Sequence, residues 1–153
     1  MKLFFQNFEP QEAGPQYLED LATAYWYSAA LFTAIENGLF ALLAEKGMTA
    51  AELADRLQWD PQAAERFLQA LCSLGLLCLS EERYFNTVLS AEYLAPGKKC
   101  YQGDSILWRK YLSAGWRELG DCLKAGGRVS YPDDAACGEL EQRIKRYMRA
   151  MDN

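Results

Sequence analysis

The chain has 153 residues, half of them apolar and about a quarter charged, a composition that excludes a disordered segment and sets the scale of one globular domain. A net charge of −5 lowers the case for a surface built around a nucleic-acid backbone. The five cysteines (Cys72, Cys78, Cys100, Cys122, Cys137) contain no Cys-x-x-Cys pair and histidine is absent, so no zinc site is expected. The odd count without a secretory leader points to reduced, core-packed thiols in a cytoplasmic protein.

Residues 1–16 hold Pro10, Gly14 and Pro15 and read as an arm, with an apolar start (Leu3, Phe4, Phe5, Phe8) suited to lying on this chain or on a partner. From Tyr17 to Asn37 the spacing predicts one helix, with Leu18, Leu21, Tyr25, Ala29, Phe32 and Ile35 on one face and Trp26, Ala30 and Ala34 on another. Only Glu36 is charged between Leu21 and Leu43. A helix apolar on several faces needs cover on several sides, and a second subunit is the economical cover. The uncharged run Leu21 to Ile35 is shorter than the roughly 20 apolar residues of a membrane span and contains Thr23, Ser28 and Thr33, so no membrane role is expected. Gly38 interrupts the pattern, and Leu39 to Lys46 predicts a short second helix that ends at Gly47.

Thr49-Ala-Ala-Glu52 is a capping box, in which hydroxyl and carboxylate satisfy orphan N–H groups at the start of a helix that runs to about Leu57. Asp60-Pro61 starts another, with an N-cap acceptor followed by proline at the first helical position. Ala64, Phe67, Leu68, Leu71 and Leu74 form its inner face, and Gly75 is its expected stop. Leu76 to Leu79, a charged turn at Glu81-Glu82-Arg83 and Tyr84 to Asn86 predict a small β-hairpin. Helix, turn, longer helix and hairpin together make a winged helix-turn-helix.

Thr87 to Leu94 predicts a short helix stopped by Pro96-Gly97. Leu107 to Leu123 predicts a longer one with Trp108, Tyr111, Leu112, Trp116, Leu119 and Leu123 on one stripe. Gly126-Gly127 ends it, and Pro132 with Asp133-Asp134 marks a loop. Glu139 to about Met151 forms the last expected helix, with Leu140, Ile144, Tyr147, Met148 and Met151 on one side; that stripe calls for a neighbour.

In this order the segments resemble the N-terminal region of the plant-type and bacterial S-adenosylmethionine-dependent small-molecule O-methyltransferases. The residues that carry the likeness are Ala24-Tyr25-Trp26, Ile35 to Phe40, Thr49 to Ala54, Asp60-Pro61 with Leu68 to Leu71, Leu74 to Leu77, Tyr84 to Thr87 with Tyr93-Leu94, Trp116 to Leu119 and Tyr147 to Met151. The resemblance implies an intertwined homodimer whose N-terminal helices lie over the substrate pocket. It also implies that methyl transfer, cofactor binding and the general base belong to a separate C-terminal domain with a Gly-rich strand-to-helix turn. Nothing in this sequence supplies that turn, and Gly126-Gly127 has no strand before it.

The expected fold class is therefore mainly α: a winged helix-turn-helix with a small β-hairpin (48–95), dimerisation helices before it (17–47) and closing helices after it (96–153). Tyr147, Met148 and Met151 are the substrate-contact candidates, and by the resemblance Met151 matches a methionine that packs on the acceptor ring. Trp108 and Tyr111 line the same pocket or pack the core. Tyr25, Trp26, Leu31 and Phe32 are the dimer-face candidates. No catalytic, metal or cofactor-binding residue is expected on this chain alone; S-adenosylmethionine would serve the complete enzyme, and a small aromatic would be its substrate. Two other readings stand beside this one: a dimeric winged-helix transcriptional regulator, and a small-aromatic-binding protein without enzyme activity. The regulator is disfavoured because the second helix exposes Gln62, Glu65, Arg66, Gln69 and Ser73, a poor match for a polyanion. The basic run Arg143, Lys145, Arg146 and Arg149 suits a helix C-terminus by its dipole alone.

Overall fold

Side-chain caps start the helices at the centre of the molecule. The structure is a computed structural model that describes residues 14–127 and 137–152, apart from the side chains of residues 137–140, 142, 143 and 146. In it the Thr49 hydroxyl accepts the Glu52 N–H at 3.2 Å while the Glu52 carboxylate accepts the Thr49 N–H at 2.7 Å, which begins a helix over Ala50–Leu57. The Asp60 carboxylate accepts the Ala63 N–H at 2.8 Å and Pro61 opens the next helix, Pro61–Ser73. Gly75, in the left-handed region at φ 72°, turns the chain away from it.

Two strands follow, Leu77–Ser80 (β1) and Arg83–Asn86 (β2), paired antiparallel with Leu77 opposite Asn86 and Ser80 opposite Arg83. The two-residue link Glu81-Glu82 has both residues at positive φ, 50° and 59°, the twist that a tight hairpin requires. Met48 adds an isolated bridge to Tyr84, so the hairpin is tied to the chain that enters the capped helix. Gly47 is needed there: a Cβ at this position would run into the Phe85 ring. Arg83 completes the tie by donating to the Gly47 carbonyl at 2.9 Å and to Glu52 at 3.1 Å.

In chain order the helices are α1 (Pro15–Thr23), α2 (Tyr25–Glu36), α3 (Leu39–Leu42), α4 (Ala50–Leu57), α5 (Pro61–Ser73), α6 (Val88–Tyr93), α7 (Gly103–Ser113), a 3-10 turn (Gly115–Glu118), α8 (Leu119–Ala125) and α9 (Cys137–Met151). The core gathers Ala34, Leu39, Phe40, Leu53, Leu68, Leu71 and Tyr84, all but sealed from solvent. Two side chains tie its polar edges to backbone carbonyls. Buried Ser90 donates to the Leu76 carbonyl at 2.6 Å, and the Asn86 amide donates to the Phe40 carbonyl at 2.9 Å.

The mainly helical class, the helix-turn-helix order and the hairpin agree with expectation, and three helix boundaries need correction. The single helix expected over 17–37 divides at Ala24 into α1 and α2. Thr23 bends the chain there by donating its hydroxyl to the Glu19 carbonyl at 2.8 Å. The helix expected to reach Lys46 stops at Leu42, because the chain must open out for Met48 to pair with Tyr84. The helix expected over 107–123 starts earlier, at Gly103, and breaks at Ala114. Just before the break the Ser113 hydroxyl donates to the Lys110 carbonyl at 2.7 Å, and Gly115, a poor helix former, is buried at the bend. The arm of residues 1–13, the loop at Pro132 to Asp134 and the side chains of Leu140, Arg143 and Arg146 lie outside the described residues.

Candidate ligand cleft and interaction face

Helix α7 packs on α2 and on α9, and its two sides line two different hollows. On one side Trp108 stacks on Tyr111, with ring centres 5.1 Å apart and planes 18° from parallel, because residues three apart share a helix face. Tyr147 of α9 meets the same Trp108 edge-on at 5.6 Å. Three of the five ligand candidates are thus brought into one aromatic cluster. The cleft of about 490 Å³ along this face is lined by Trp108, Tyr111 and Leu107 with Glu36, Asp104, Lys110, Ala114 and Arg149. Met148 and Met151 lie farther round α9 with about half their surface exposed, and neither lines the cleft.

Glu36 and Lys110 make an ion pair at 2.5 Å that links the end of α2 to α7. Both side chains are close to half exposed, so the pair contributes well under about 1 kcal/mol, and its role is to set position. Sequence periodicity missed this pair and the cleft-lining Arg149, because they come from elements distant in the chain, and it also missed Asp104 on α7 itself. One signal was present: Asp104, Trp108 and Tyr111 follow the spacing of a single helix face.

On the other side of α7 lies a groove of about 870 Å³ between α2 and the 3-10 turn, walled by Tyr25, Phe32, Leu112 and Trp116 among others. Tyr25 and Trp26 lie edge-to-face and remain 66% and 59% exposed. Of the four face candidates, Tyr25, Trp26 and Phe32 are open to this surface or line its groove. Leu31 leans instead on the chain's own core. The stripe expected along residues 108–123 divides in the same way, with Trp108 and Tyr111 half-buried and Trp116 and Leu123 well exposed.

Among the described residues four groups have clearly shifted ionisations. The Thr49 N–H, and after it Arg83, hold the Glu52 carboxyl below its ordinary value, while burial, aided by the Glu65 carboxylate, pushes the Tyr84 phenol up. Burial also pushes up Cys72, and it raises Tyr101 beside Asp104. Among the described residues no group of three or more Cys, Asp or Glu side chains is placed to hold a metal, and no helix is long and apolar enough to cross a membrane.

Comparison with known proteins places this geometry. The family model of the O-methyltransferase dimerisation domain matches residues 19–96. The chain is 41% identical over 116 residues to the 3-hydroxy-5-methyl-1-naphthoate 3-O-methyltransferase of Streptomyces sahachiroi, a match that spans 75% of the chain and 34% of that enzyme. It is 32% identical over 120 residues to acetylserotonin O-methyltransferase of Bos taurus, spanning 74% of the chain and 35% of the relative. Among solved structures, an O-methyltransferase family protein from Burkholderia thailandensis superposes with a TM-score of 0.79 at 26% identity, covering 91% of this chain and 42% of that one. Human N-acetylserotonin methyltransferase, solved with S-adenosylmethionine, superposes at 0.75 and 25% identity, covering 94% and 46%. The chain spans about a third of the length of the curated relatives it matches.

The described residues hold no Gly-rich strand-to-helix turn. Their strand-to-helix junction is Asn86-Thr87-Val88, which has no glycine, and Thr87 spends its hydroxyl on capping α6. Fold, motif order and sequence identity agree, and the chain belongs to the O-methyltransferase dimerisation-domain family.

Proposed function

We propose that this chain is the dimerisation and substrate-capping module of an S-adenosylmethionine-dependent small-molecule O-methyltransferase, as a fragment or a split subunit, and that it performs no catalysis alone. In this reading residues 1–16 are an arm whose last two residues already begin α1, 17–47 supply dimerisation helices, 48–95 form the winged unit and 96–153 close over the acceptor and lead to a methyltransferase domain, in the same or a separate chain. The observation that carries the reading is the division of α7 between two hollows. One has an aromatic wall formed by Trp108 and Tyr111, with Tyr147 packed edge-on against Trp108, and suits a flat acceptor; the other continues the exposed apolar surface of α2. A second copy would cover Tyr25, Trp26 and Phe32, with Leu31 contributing from the core side.

The wing argues against the regulator reading. Its tip presents Glu81 and Glu82, and Glu65 on α5 is bonded to Gln69, so the elements that would meet DNA offer carboxylates to phosphates. The small-aromatic-binding reading shares the cleft and differs only in having no catalytic partner.

Light scattering over a range of concentrations tests the dimer: a mass of two chains is expected, and Trp26→Asp is expected to shift it toward one. A chain that stays monomeric at high concentration overturns the reading. Calorimetric titration with S-adenosylmethionine tests the other half, since no binding is expected until a methyltransferase domain is supplied.

A further inference from the structure

The cleft between α7 and α9 holds, beside its aromatic wall, a carboxylate without a partner among the described residues. Its charged lining among the described residues is Glu36, Asp104, Lys110 and Arg149. Glu36 and Lys110 neutralise each other, and Arg149 is engaged in an interaction of its own. Asp104, only partly exposed, makes no hydrogen bond or ion pair among the described residues. Its charge is felt nearby: the Tyr101 phenol, already raised by burial, is pushed up further by this carboxylate.

Trp108 stands one helical turn beyond Asp104 and presents its stacked pair with Tyr111 to the same cleft. A carboxylate and the electron-rich face of an indole favour the same kind of ligand. Each attracts a cation, and each is unfavourable to an anion. We propose that this cleft binds a flat aromatic ligand carrying a protonated amine, with the amine directed to Asp104 and the ring against Trp108 and Tyr111. This rests on the reading of the cleft as a ligand site. A volume of about 490 Å³ holds one or two fused rings with a short arm. Asp104 also lies in the first turn of α7, where the helix dipole favours a carboxylate without any ligand. That simpler role predicts a stability effect and no ligand preference.

The test uses three probes that share one ring: 1-naphthylmethylamine, 1-naphthylmethanol and 1-naphthoate, each titrated calorimetrically into the full chain at neutral pH and low salt. The amine is expected to bind roughly tenfold tighter than the alcohol, with the acid weakest. Asp104→Asn should bring the amine to the level of the alcohol and leave the alcohol unchanged, which also reports that the variant is folded. Trp108→Ala should weaken all three. Binding without an amine preference, or a preference that survives Asp104→Asn, overturns the proposal and leaves the cleft as a neutral aromatic site. If no probe binds, the cleft is not a ligand site and both readings fail.

Discussion

The middle of the chain is richer in apolar residues than its flanks, and the two use that character in opposite ways. From Leu39 to Ala95 the large apolar residues mostly turn inward: Leu39, Phe40, Leu53, Leu68, Leu71, Leu77 and Leu94 are buried, and Tyr84 joins them. In α1, the start of α2, α8 and α9, residues of the same kind face outward, among them Leu18, Tyr25, Trp26, Leu123 and Met148. The capped helices and the hairpin close on themselves because short links hold their faces together. The outward faces of the flanking helices have no second layer over them among the described residues, so an apolar stripe there marks a surface to be covered. A helical stripe reports that a face will be buried without reporting by what.

Substitutions sharpen this contrast, and the largest effect is expected in the centre. Leu68→Ala leaves a cavity at a fully buried position and should cost about 2–5 kcal/mol in urea unfolding. Gly47→Ala forces the Phe85 ring to move and should cost about 1–3 kcal/mol, relieved in part when Phe85→Leu is added. Thr49→Ala removes one half of the capping box, for about 1 kcal/mol in the same measurement.

Glu52→Gln tests the other half through pH. The folded-state value of Glu52 lies below its ordinary 4.5, so its stabilising effect is present above that value and is lost as pH falls through the folded one. The unfolding midpoints of the wild type and of the Glu52→Gln variant should therefore differ at neutral pH and converge in acid. In the wing, Glu82→Gly relieves a left-handed non-glycine residue and should raise stability by up to about 1 kcal/mol, read as a higher midpoint. Smallest of all should be Trp26→Ala, within about 0.5 kcal/mol for the single chain because the ring is exposed, while the same change weakens self-association. A large loss of chain stability at Trp26 would break the contrast, since it would make that face part of the intrachain core.

Much of the centre was legible because its signals are local. The pairs Thr49 with Glu52, Asp60 with Pro61, and Thr87 with Ser90 act within one helical turn, and Gly75 marks a left-handed stop by its own lack of a side chain. Less of the candidate site was legible. Trp108, Tyr111 and Tyr147 were singled out and do meet, and of the five candidates Trp108 and Tyr111 line the cleft. Asp104 escaped notice because a carboxylate in a first turn looks like an ordinary helix start.

The sequence by itself determined the helices and the hairpin across residues 49–94, with Arg83 paired in β2 and not in the turn expected for it, since caps, turns and periodicity are decided by near neighbours. Only the tertiary structure decided the shortening of α3 for the bridge between Met48 and Tyr84 and the inward lean of Leu31. It also decided that one face of α7 meets α9 while another opens beside α2, and that Glu36 reaches Lys110 across 74 positions. Those outcomes depend on which elements pack together, and packing between distant segments leaves no periodic mark in either one.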